Sequence, residues 1–404
     1  MSDWARRALE TLDDRARLRR LRAVSPIGPC RVRLEGRTVR LFSSNDYLGL
    51  STHREVRRAL ADAAREHGVG PRGAALICGF TDVHEALEDA LATLKGTEAA
   101  LVFPTGYQAN VGLLSALGTA ETTLFSDALN HASIIDGCRL ARARVKVYRH
   151  RDLDDLEAQL RATDGPKIVV TDEVFSMDGV GAPLAELAAL KARYGFTLVT
   201  DSAHSTLVYG PRGAGWAAAC GVADAVDFQV GTLSKAVGAH GGFVACSGRH
   251  REWLLNTGRA FIFSTALPLP LAAAARAALE VAAAEPSLRT RLWSHAERVW
   301  GALSGDPALG TPAPDASVEA AANSAPDPDG AVGLDRGPIV PVILGAESTA
   351  VAASARLLEA GFHVPAIRPP TVPEGTCRLR IALSAAHAMP DVDALVTALR
   401  ERLD

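Results

Sequence analysis

The feature that most constrains the fold of this chain is an alternation of apolar and helical segments between residues 97 and 265. Short runs rich in β-branched residues are typical of buried strands, and helical patterns such as residues 184–194 lie between several of them. This alternation predicts an α/β fold in which helices cover both faces of a mainly parallel sheet. The predicted strands are residues 99–103, 122–125, 145–148, 168–171, 197–200, 225–230 and 242–246.

The chain of 404 residues is long enough for a second, smaller domain. We predict an N-terminal arm at residues 1–40, a large domain at 41–288 and a small C-terminal α/β domain at 289–404. The arm has a helical pattern over residues 3–22, and a β-like stretch follows over residues 31–41. The elements predicted for the small domain are strand 339–344, helix 349–360, a strand around 362–367, strand 377–384 and helix 390–403.

Residues 305–338 differ in composition from the rest of the chain. They are rich in Pro, Ala, Asp and Gly, and they contain few large apolar side chains. Such a segment has too little apolar surface to form a core of its own. We therefore predict a mobile surface insertion.

Charge and cysteine usage narrow the function classes. The formal net charge of -3 favours neither nucleic acid nor an anionic membrane as a partner. The six cysteines are scattered without a CxxC pair or metal-ligand spacing, which predicts free thiols in a reducing compartment and no metal site.

The apolar stretch 269–284 contains Arg276 and Glu280 and predicts a buried helix rather than a membrane span. Acids near the N-terminus do not fit a transit peptide, so we expect a cytoplasmic protein.

The lysine at position 235 is the strongest candidate for chemistry. It follows a predicted strand and lies among small residues, including Gly231, Ser234 and Ala236. A lysine that forms a Schiff base with pyridoxal 5'-phosphate (PLP) needs such a setting, because small neighbours admit a flat ring and burial lowers the amine pKa. Taken alone, an exposed loop lysine is the commoner explanation.

Other polar residues also follow predicted strands, where ligands bind in sheets of this kind. Asp201 could pair with the protonated pyridine nitrogen of PLP, and His204 could reach the phenolate oxygen of the ring. Residues 104–110 open a helix and are suited to an anion, while His131 could stack on a planar ring. Each signal is weak alone, since capping residues and satisfied core histidines look similar. The glycine-rich residues 68–73 fit GxGxxG, but a helical segment precedes them and no strand does, so a dinucleotide site is rejected.

Together these motifs resemble the α-oxoamine synthase family of fold-type I PLP enzymes. The resemblance covers nearly the whole chain outside residues 305–338 and implies a large PLP-binding domain and a small C-terminal domain. The matching segments are SSNDYLGL (43–50), VHEALE (83–88), Gly106-Tyr107, LNHASIIDG (129–137), VFSMDG (174–179), DSAH (201–204), GTLSKA (231–236), FSTALP (263–268) and AIRPPTVPEGTCRLRIALSAAH (366–387).

The resemblance assigns roles to individual residues. It implies catalysis by Lys235, Asp201 and His131, and a homodimer with shared active sites. The implied cofactor contacts are Gly106, Tyr107, His131, Ser176, Asp201, His204, Thr232 and Lys235, with Ser264 and Thr265 reaching the phosphate from the partner subunit. The implied substrate contacts are Arg19, Asn45, His131, Thr371 and Arg380, of which Arg380 would clamp the amino acid carboxylate.

The segment 366–387 is most similar to the biotin-pathway branch of the family, which joins L-alanine to a pimeloyl thioester with loss of CO2. The thioester carrier, CoA or acyl carrier protein, stays open. The alternative is another member, such as a glycine C-acetyltransferase; a PLP-binding scaffold without catalysis is disfavoured by the complete residue set. Two departures from the branch are Ser205, where many members have Gly, and residues 71–75, where many have a serine-glycine run.

Overall fold

A computed structural model describes residues 3–303 and 336–403 of the chain. Fourteen strands lie in the described residues: β1 Val24–Gly28, β2 Arg31–Leu34, β3 Arg37–Leu41, β4 Ala99–Phe103, β5 Thr123–Asp127, β6 Arg144–Tyr148, β7 Lys167–Asp172, β8 Thr197–Asp201, β9 Phe228–Thr232, β10 Gly242–Cys246, β11 Ile339–Gly345, β12 Phe362–His363, β13 Ala366–Ile367 and β14 Cys377–Ala382.

The same residues form fourteen α-helices, besides short 3₁₀ and π turns. They are α1 Trp4–Asp14, α2 Arg54–His67, α3 Asp82–Lys95, α4 Gly106–Leu117, α5 Ala132–Leu140, α6 Leu153–Arg161, α7 Leu184–Tyr194, α8 Trp216–Ala219, α9 Gly248–Thr257, α10 Arg259–Ile262, α11 Leu269–Ala284, α12 Ser287–Leu303, α13 Glu347–Glu359 and α14 Met389–Leu403.

The central sheet has seven strands in the order β4-β10-β9-β8-β7-β5-β6. The neighbours from β9 to β6 pair in parallel, whereas β10 is antiparallel to both β4 and β9. All seven strands predicted from the sequence form, and the prediction of a mainly parallel sheet is confirmed. Because parallel strands end at one edge, the polar residues that follow β5, β7, β8 and β9 are brought together there.

Helices cover both faces of this sheet because its strands are apolar on both sides. Successive residues of β4 show the alternation: Ala100 and Val102 join one core cluster, and Leu101 and Phe103 join the other. The first cluster includes side chains of α3, α7 and α11, and the second includes side chains of α4, α5 and α10. The sheet edge that carries the polar residues is thus held between two packed layers.

The N-terminal arm differs from its prediction. The helix predicted over residues 3–22 ends at Asp14, and Ala16 has a φ of 52°, outside the helical region. No residue of α1 is buried, so no packing extends the helix. Beyond it, the guanidinium of Arg17 binds Glu347 and Glu374. This arrangement draws the arm toward the C-terminal residues.

The small C-terminal elements form as predicted with one correction. The strand predicted around 362–367 is two strands in different sheets: β12 pairs with β3, and β13 pairs with β14. Pro365 lies between them, and its carbonyl accepts the Arg380 amide, so the chain changes sheet at that residue. The sequence prediction also missed β1, which is mostly exposed and contains Pro26.

The predicted insertion at residues 305–338 lies outside the described residues except for its last three. In the described part of the chain, no helix is long and apolar enough to cross a membrane, and no group of three or more His, Cys, Asp or Glu side chains could hold a metal ion. All six cysteines are described, and none forms a disulfide.

Candidate active site

Acidic residues end two neighbouring strands of the central sheet. Asp172 of β7 and Asp201 of β8 are register partners, and both side chains are buried. Burial raises the pKa of the Asp172 carboxyl well above its usual value, and the charge of Asp201 acts in the same direction. A positively charged group between the strand tips would therefore be strongly favoured.

Lys235 supplies an amine at this edge. It lies three residues after β9 in a turn closed by the bond from the Gly238 amide to the Lys235 carbonyl, 2.8 Å. Gly238 has a φ of 69°, and a Cβ at that position would overlap the Ser51 backbone, so only glycine fits the turn. Burial lowers the pKa of the Lys235 amine, while Asp201 and Asp172 oppose that shift. An amine with a lowered pKa is a better nucleophile and base at neutral pH.

Asp201 is held firmly at the end of β8. Its Oδ2 accepts a hydrogen bond from Nδ2 of Asn110 at 2.6 Å, and its Oδ1 accepts from the Ala203 amide at 2.9 Å. Two such donors keep the carboxylate oriented. The predicted partner of the pyridine nitrogen is therefore pre-positioned by its own chain.

His204 and Arg380 meet through a tyrosine. The hydroxyl of Tyr47 lies 2.7 Å from Nδ1 of His204 and accepts from the Arg380 guanidinium at 3.4 Å. Arg380, on β14, also donates to the Asn45 side chain at 3.1 Å and to the Ser176 carbonyl at 2.6 Å. Burial lowers the pKa of His204 well below its usual value, and the charges of Lys235 and Arg380 add to the effect. The sheet edge and the C-terminal strand thus share one polar cluster.

His131 caps the start of α5. Its backbone amide donates to Oδ2 of Asp172 at 2.8 Å, and its Nδ1 accepts from the Ser133 amide at 3.2 Å. Although His131 remains accessible to solvent, partial burial lowers the pKa of its imidazole, with Asp201 opposing and Lys235 adding to that shift. The ring is therefore neutral at neutral pH and close to both charges.

Gly106 and Thr232 form a cradle suited to a phosphate. A Cβ added to Gly106 would lie 3.1 Å from Cβ of Thr232, so the absence of a side chain leaves this approach open. Gly106 is the first residue of α4, where free amides and the helix dipole favour an anion. Ser264 forms a hydrogen bond within its own chain, where its Oγ accepts from the side-chain amide of Gln108 at 2.9 Å. Its contact with the phosphate of the partner subunit stays a prediction. Tyr107 is exposed, and its hydroxyl donates to Asp136.

Three predicted residues lie in less enclosed positions. The guanidinium of Arg19 donates to the Pro369 carbonyl at 3.2 Å, which places the arm beside the loop that carries Thr371. Both Arg19 and Thr371 are exposed, as is Thr265, which pairs with Ala74 in an isolated bridge. Their assigned contacts with substrate and cofactor stay predictions.

Sequence reasoning missed several residues of the cluster. Tyr47 lies in SSNDYLGL (43–50) and Asn110 ends the segment 104–110, but nothing in their spacing shows that they reach His204 and Asp201. The Asn130 side chain similarly accepts the Asp172 amide at 2.9 Å. The only available signal was the polar character of these residues at positions that are predicted to be buried near strand ends.

The residues present fit PLP. Their chemistry supplies an amine, a carboxylate for a ring nitrogen, a neutral imidazole and a small-residue cradle at a helix start for phosphate. The residues that could hold the cofactor are Lys235, Asp201, His204, His131, Gly106 and Thr232.

Comparison with known proteins decides the family. A family model described as aminotransferase class I and II matches residues 37–399. The 8-amino-7-oxononanoate synthase of Anaeromyxobacter dehalogenans is 48% identical, over 98% of this chain and 94% of the relative. That of Arabidopsis thaliana is 46% identical, over 90% of this chain and 75% of the relative. The chain belongs to the 8-amino-7-oxononanoate synthase family of class I and II aminotransferases.

A solved structure extends this likeness to the fold. A serine palmitoyltransferase from S. paucimobilis with a bound PLP–myriocin aldimine superposes with a TM-score of 0.87 at 30% identity, covering 99% of this chain and 97% of that chain. Membership of the 8-amino-7-oxononanoate synthase family confirms the predicted resemblance, the α/β fold class, PLP as cofactor and the acyltransferase class.

Proposed function

We propose that the protein uses PLP to condense L-alanine with a pimeloyl thioester, releasing CO2 and the thiol and giving 8-amino-7-oxononanoate. The observation that carries the proposal is that Lys235, Asp201 and Arg380 lie close together at one sheet edge. The relatives of this chain are named 8-amino-7-oxononanoate synthase. In the net reaction, a carbon–carbon bond forms between the alanine Cα and the acyl carbonyl carbon, and the alanine carboxylate leaves as CO2.

Each residue has a distinct part in this proposal. Bound PLP supplies an electron sink for the carbanion at the alanine Cα. Lys235 would take the Cα proton of bound alanine, and its lowered pKa keeps the amine able to accept that proton. Asp201 would keep a ring nitrogen of the cofactor protonated, and His204 would serve as the partner of the ring oxygen. Arg380 binds the alanine carboxylate with its planar guanidinium.

The thioester is proposed to enter past the arm and the C-terminal loop. Arg19 and Thr371 lie on these two segments, which meet at the Pro369 carbonyl. Asn45 is proposed to contact the substrate as well, which its hydrogen bond from Arg380 supports. His131, whose backbone amide donates to Asp172, is proposed to complete the substrate contacts.

We further propose a homodimer in which Ser264 and Thr265 contribute to the partner's site. An apolar patch supports it, formed by Leu76, Ile77, Phe80 and Phe263, all exposed. Ile77 is 81% exposed and Phe263 71%, and the bridge between Ala74 and Thr265 joins their two segments. Large apolar residues gathered on one surface mark interaction sites.

A cytoplasmic location is proposed from the six unpaired cysteines.

The reaction is tested by substrate comparison. Protein purified with PLP should form product from L-alanine and pimeloyl-CoA, and from pimeloyl-acyl carrier protein if that carrier is accepted. Glycine with acetyl-CoA or succinyl-CoA is the matched alternative, with Lys235→Ala as the inactive control. Faster turnover with glycine and a short acyl-CoA would replace the proposal with another member of the family.

The dimer is tested by charge in the patch. Ile77→Asp should shift the protein toward monomer in analytical ultracentrifugation and lower turnover per chain, because the charge would be buried in the interface. Val147→Asp is the control, an exposed position on β6 at the far edge of the sheet from β4. A wild-type monomer, or an unaffected dimer in Ile77→Asp, would contradict this interface.

A further inference from the structure

An unbroken hydrogen-bond chain joins His131 to Asp201 inside the protein. The side-chain amide of Asn110 donates to Oδ2 of Asp201 at 2.6 Å and to Oγ of Ser133 at 2.9 Å. Oγ of Ser133 in turn lies 2.7 Å from Nδ1 of His131. Asn110 and Ser133 are each only 1% exposed, so water does not compete for these bonds.

The direction of each bond follows from its neighbours. Because the Asp201 carboxylate only accepts, the nitrogen of the Asn110 amide must face it, although this leaves Oδ1 of Asn110 buried without a described partner. The Ser133 hydroxyl accepts from that same nitrogen, so its own proton is available for His131. The orientation of Asn110 is therefore set by Asp201.

The proton of the His131 ring is located by the same reasoning. A backbone N–H can only donate, and the Ser133 amide points at Nδ1 from 3.2 Å. Nδ1 therefore accepts two hydrogen bonds from Ser133, one from its amide and one from its hydroxyl. The neutral ring must then carry its proton on Nε2.

We propose that Asn110 and Ser133 are positioning residues that hold His131 as its Nε2–H tautomer and couple that tautomer to the orientation of the Asp201 carboxylate. The proposal rests on the proposed function, because it takes His131 and Asp201 to face PLP. It adds Asn110 and Ser133 as residues that touch neither cofactor nor substrate. A purely structural role would predict lost stability without a change of tautomer.

The direct test is nitrogen NMR of protein with ¹⁵N-labelled histidine, prepared without cofactor or substrate. The His131 signals, assigned by their loss in His131→Gln, should show a protonated Nε2 and an unprotonated Nδ1. Ser133→Ala removes the shorter of the two hydrogen bonds to Nδ1 and leaves only the 3.2 Å bond from the backbone amide of residue 133, so a fraction of the Nδ1–H tautomer should become measurable. A wild-type ring protonated on Nδ1, or an unchanged pattern in Ser133→Ala, would overturn the proposal.

The coupling to Asp201 is tested by cofactor affinity. Asn110→Ala should weaken PLP binding about tenfold or more, since a hydrogen bond to a charged group is lost. Ser133→Ala should lower kcat/KM for alanine about tenfold while the PLP Kd changes less. Ser115→Ala is the control, on the same helix as Asn110, with its hydroxyl bound only to helix carbonyls.

The outcomes separate this proposal from the reaction. Wild-type PLP affinity in Asn110→Ala would break the coupling even if the enzyme makes 8-amino-7-oxononanoate. Conversely, the tautomer change and weaker PLP binding could be found in a protein that prefers another substrate pair, which would refute only the reaction. If a variant unfolds, the wild-type NMR spectrum alone still decides the tautomer.

Discussion

Lys95 and Lys235 both lie near buried carboxylates in this protein, yet their surroundings differ. Lys95, at the end of α3, is 2% exposed, and its amine donates to the Ala214 carbonyl at 2.7 Å. Lys235 is half-buried, and among the described residues none forms a hydrogen bond with its amine. Burial lowers the pKa of Lys95 to about 8, and it also lowers the pKa of Lys235.

The surroundings of Lys95 are filled by protein. A Cβ on Gly215 would lie 2.8 Å from the Lys95 amine and 3.1 Å from Oε2 of Glu173, so no ligand ring fits between them. Glu173 is itself satisfied by the Thr200 hydroxyl, the Ser205 hydroxyl and the Trp216 amide. A lowered lysine pKa therefore does not by itself identify a catalytic amine. An amine left without a protein partner, beside a phosphate cradle, is the better criterion.

Removal of Lys235 gives the largest expected effect. Lys235→Ala should lower kcat at least about 100-fold, because the amine that holds the cofactor and moves the Cα proton is lost. Turnover with alanine and pimeloyl-CoA measures this. In the wild type, borohydride reduction followed by peptide mass spectrometry should find the pyridoxyl group on Lys235. A pyridoxyl group on Lys95 instead would break the comparison.

Neutralising the two carboxylates should separate their roles. Asp201→Asn should lower kcat/KM roughly 100-fold, because the charge that keeps the ring nitrogen protonated is removed. Glu173→Gln, measured at saturating PLP, is the matched buried control and should stay within about threefold of wild type. Equal losses in the two variants would show that burial of a carboxylate, rather than its place beside the ring, matters.

Lys95 should instead be visible in the pH dependence of stability. Its folded pKa of about 8 lies below the usual 10.5, so the unfolded chain binds more protons between these values and stability rises with pH there. Relative to Lys95→Met, wild type should gain about 2 kcal/mol of unfolding free energy between pH 8 and pH 10. Urea unfolding of both proteins at fixed concentration measures the gain. If the difference in unfolding free energy between the two proteins does not change with pH, Lys95 is not enclosed as described.

Ser205 gives the smallest expected effect. Its hydroxyl donates to the buried Glu173, so Ser205→Ala should lower the unfolding free energy by about 1.5 kcal/mol. Turnover should stay near wild type, since the serine belongs to the Lys95 surroundings rather than to the site. Ser205→Gly, which introduces the residue that the family resemblance predicts at this position, should behave similarly in turnover. A tenfold loss of kcat in either variant would show that the surroundings of Lys95 and the site around Lys235 are functionally linked.

The sequence by itself determined the sheet and the main site residues. Apolar runs between helical patterns predicted all seven central strands, and the rule that parallel strands end together predicted where their polar residues meet. Motif spacing singled out Lys235, Asp201 and His204. The errors fell where local signals are weak: the exposed arm, the Pro-containing β1, and the strand divided at Pro365.

Only the tertiary structure decided which polar residues support the site and which lysine is enclosed. Asn110, Tyr47 and Ser133 reach their partners across tens of residues of chain, through bonds that no local pattern encodes. Lys95 lies on an ordinary amphipathic helix, and its burial depends on a loop near residue 215. Strand and helix periodicity is a property of neighbours in sequence, whereas hydrogen-bond satisfaction in a core depends on neighbours in space.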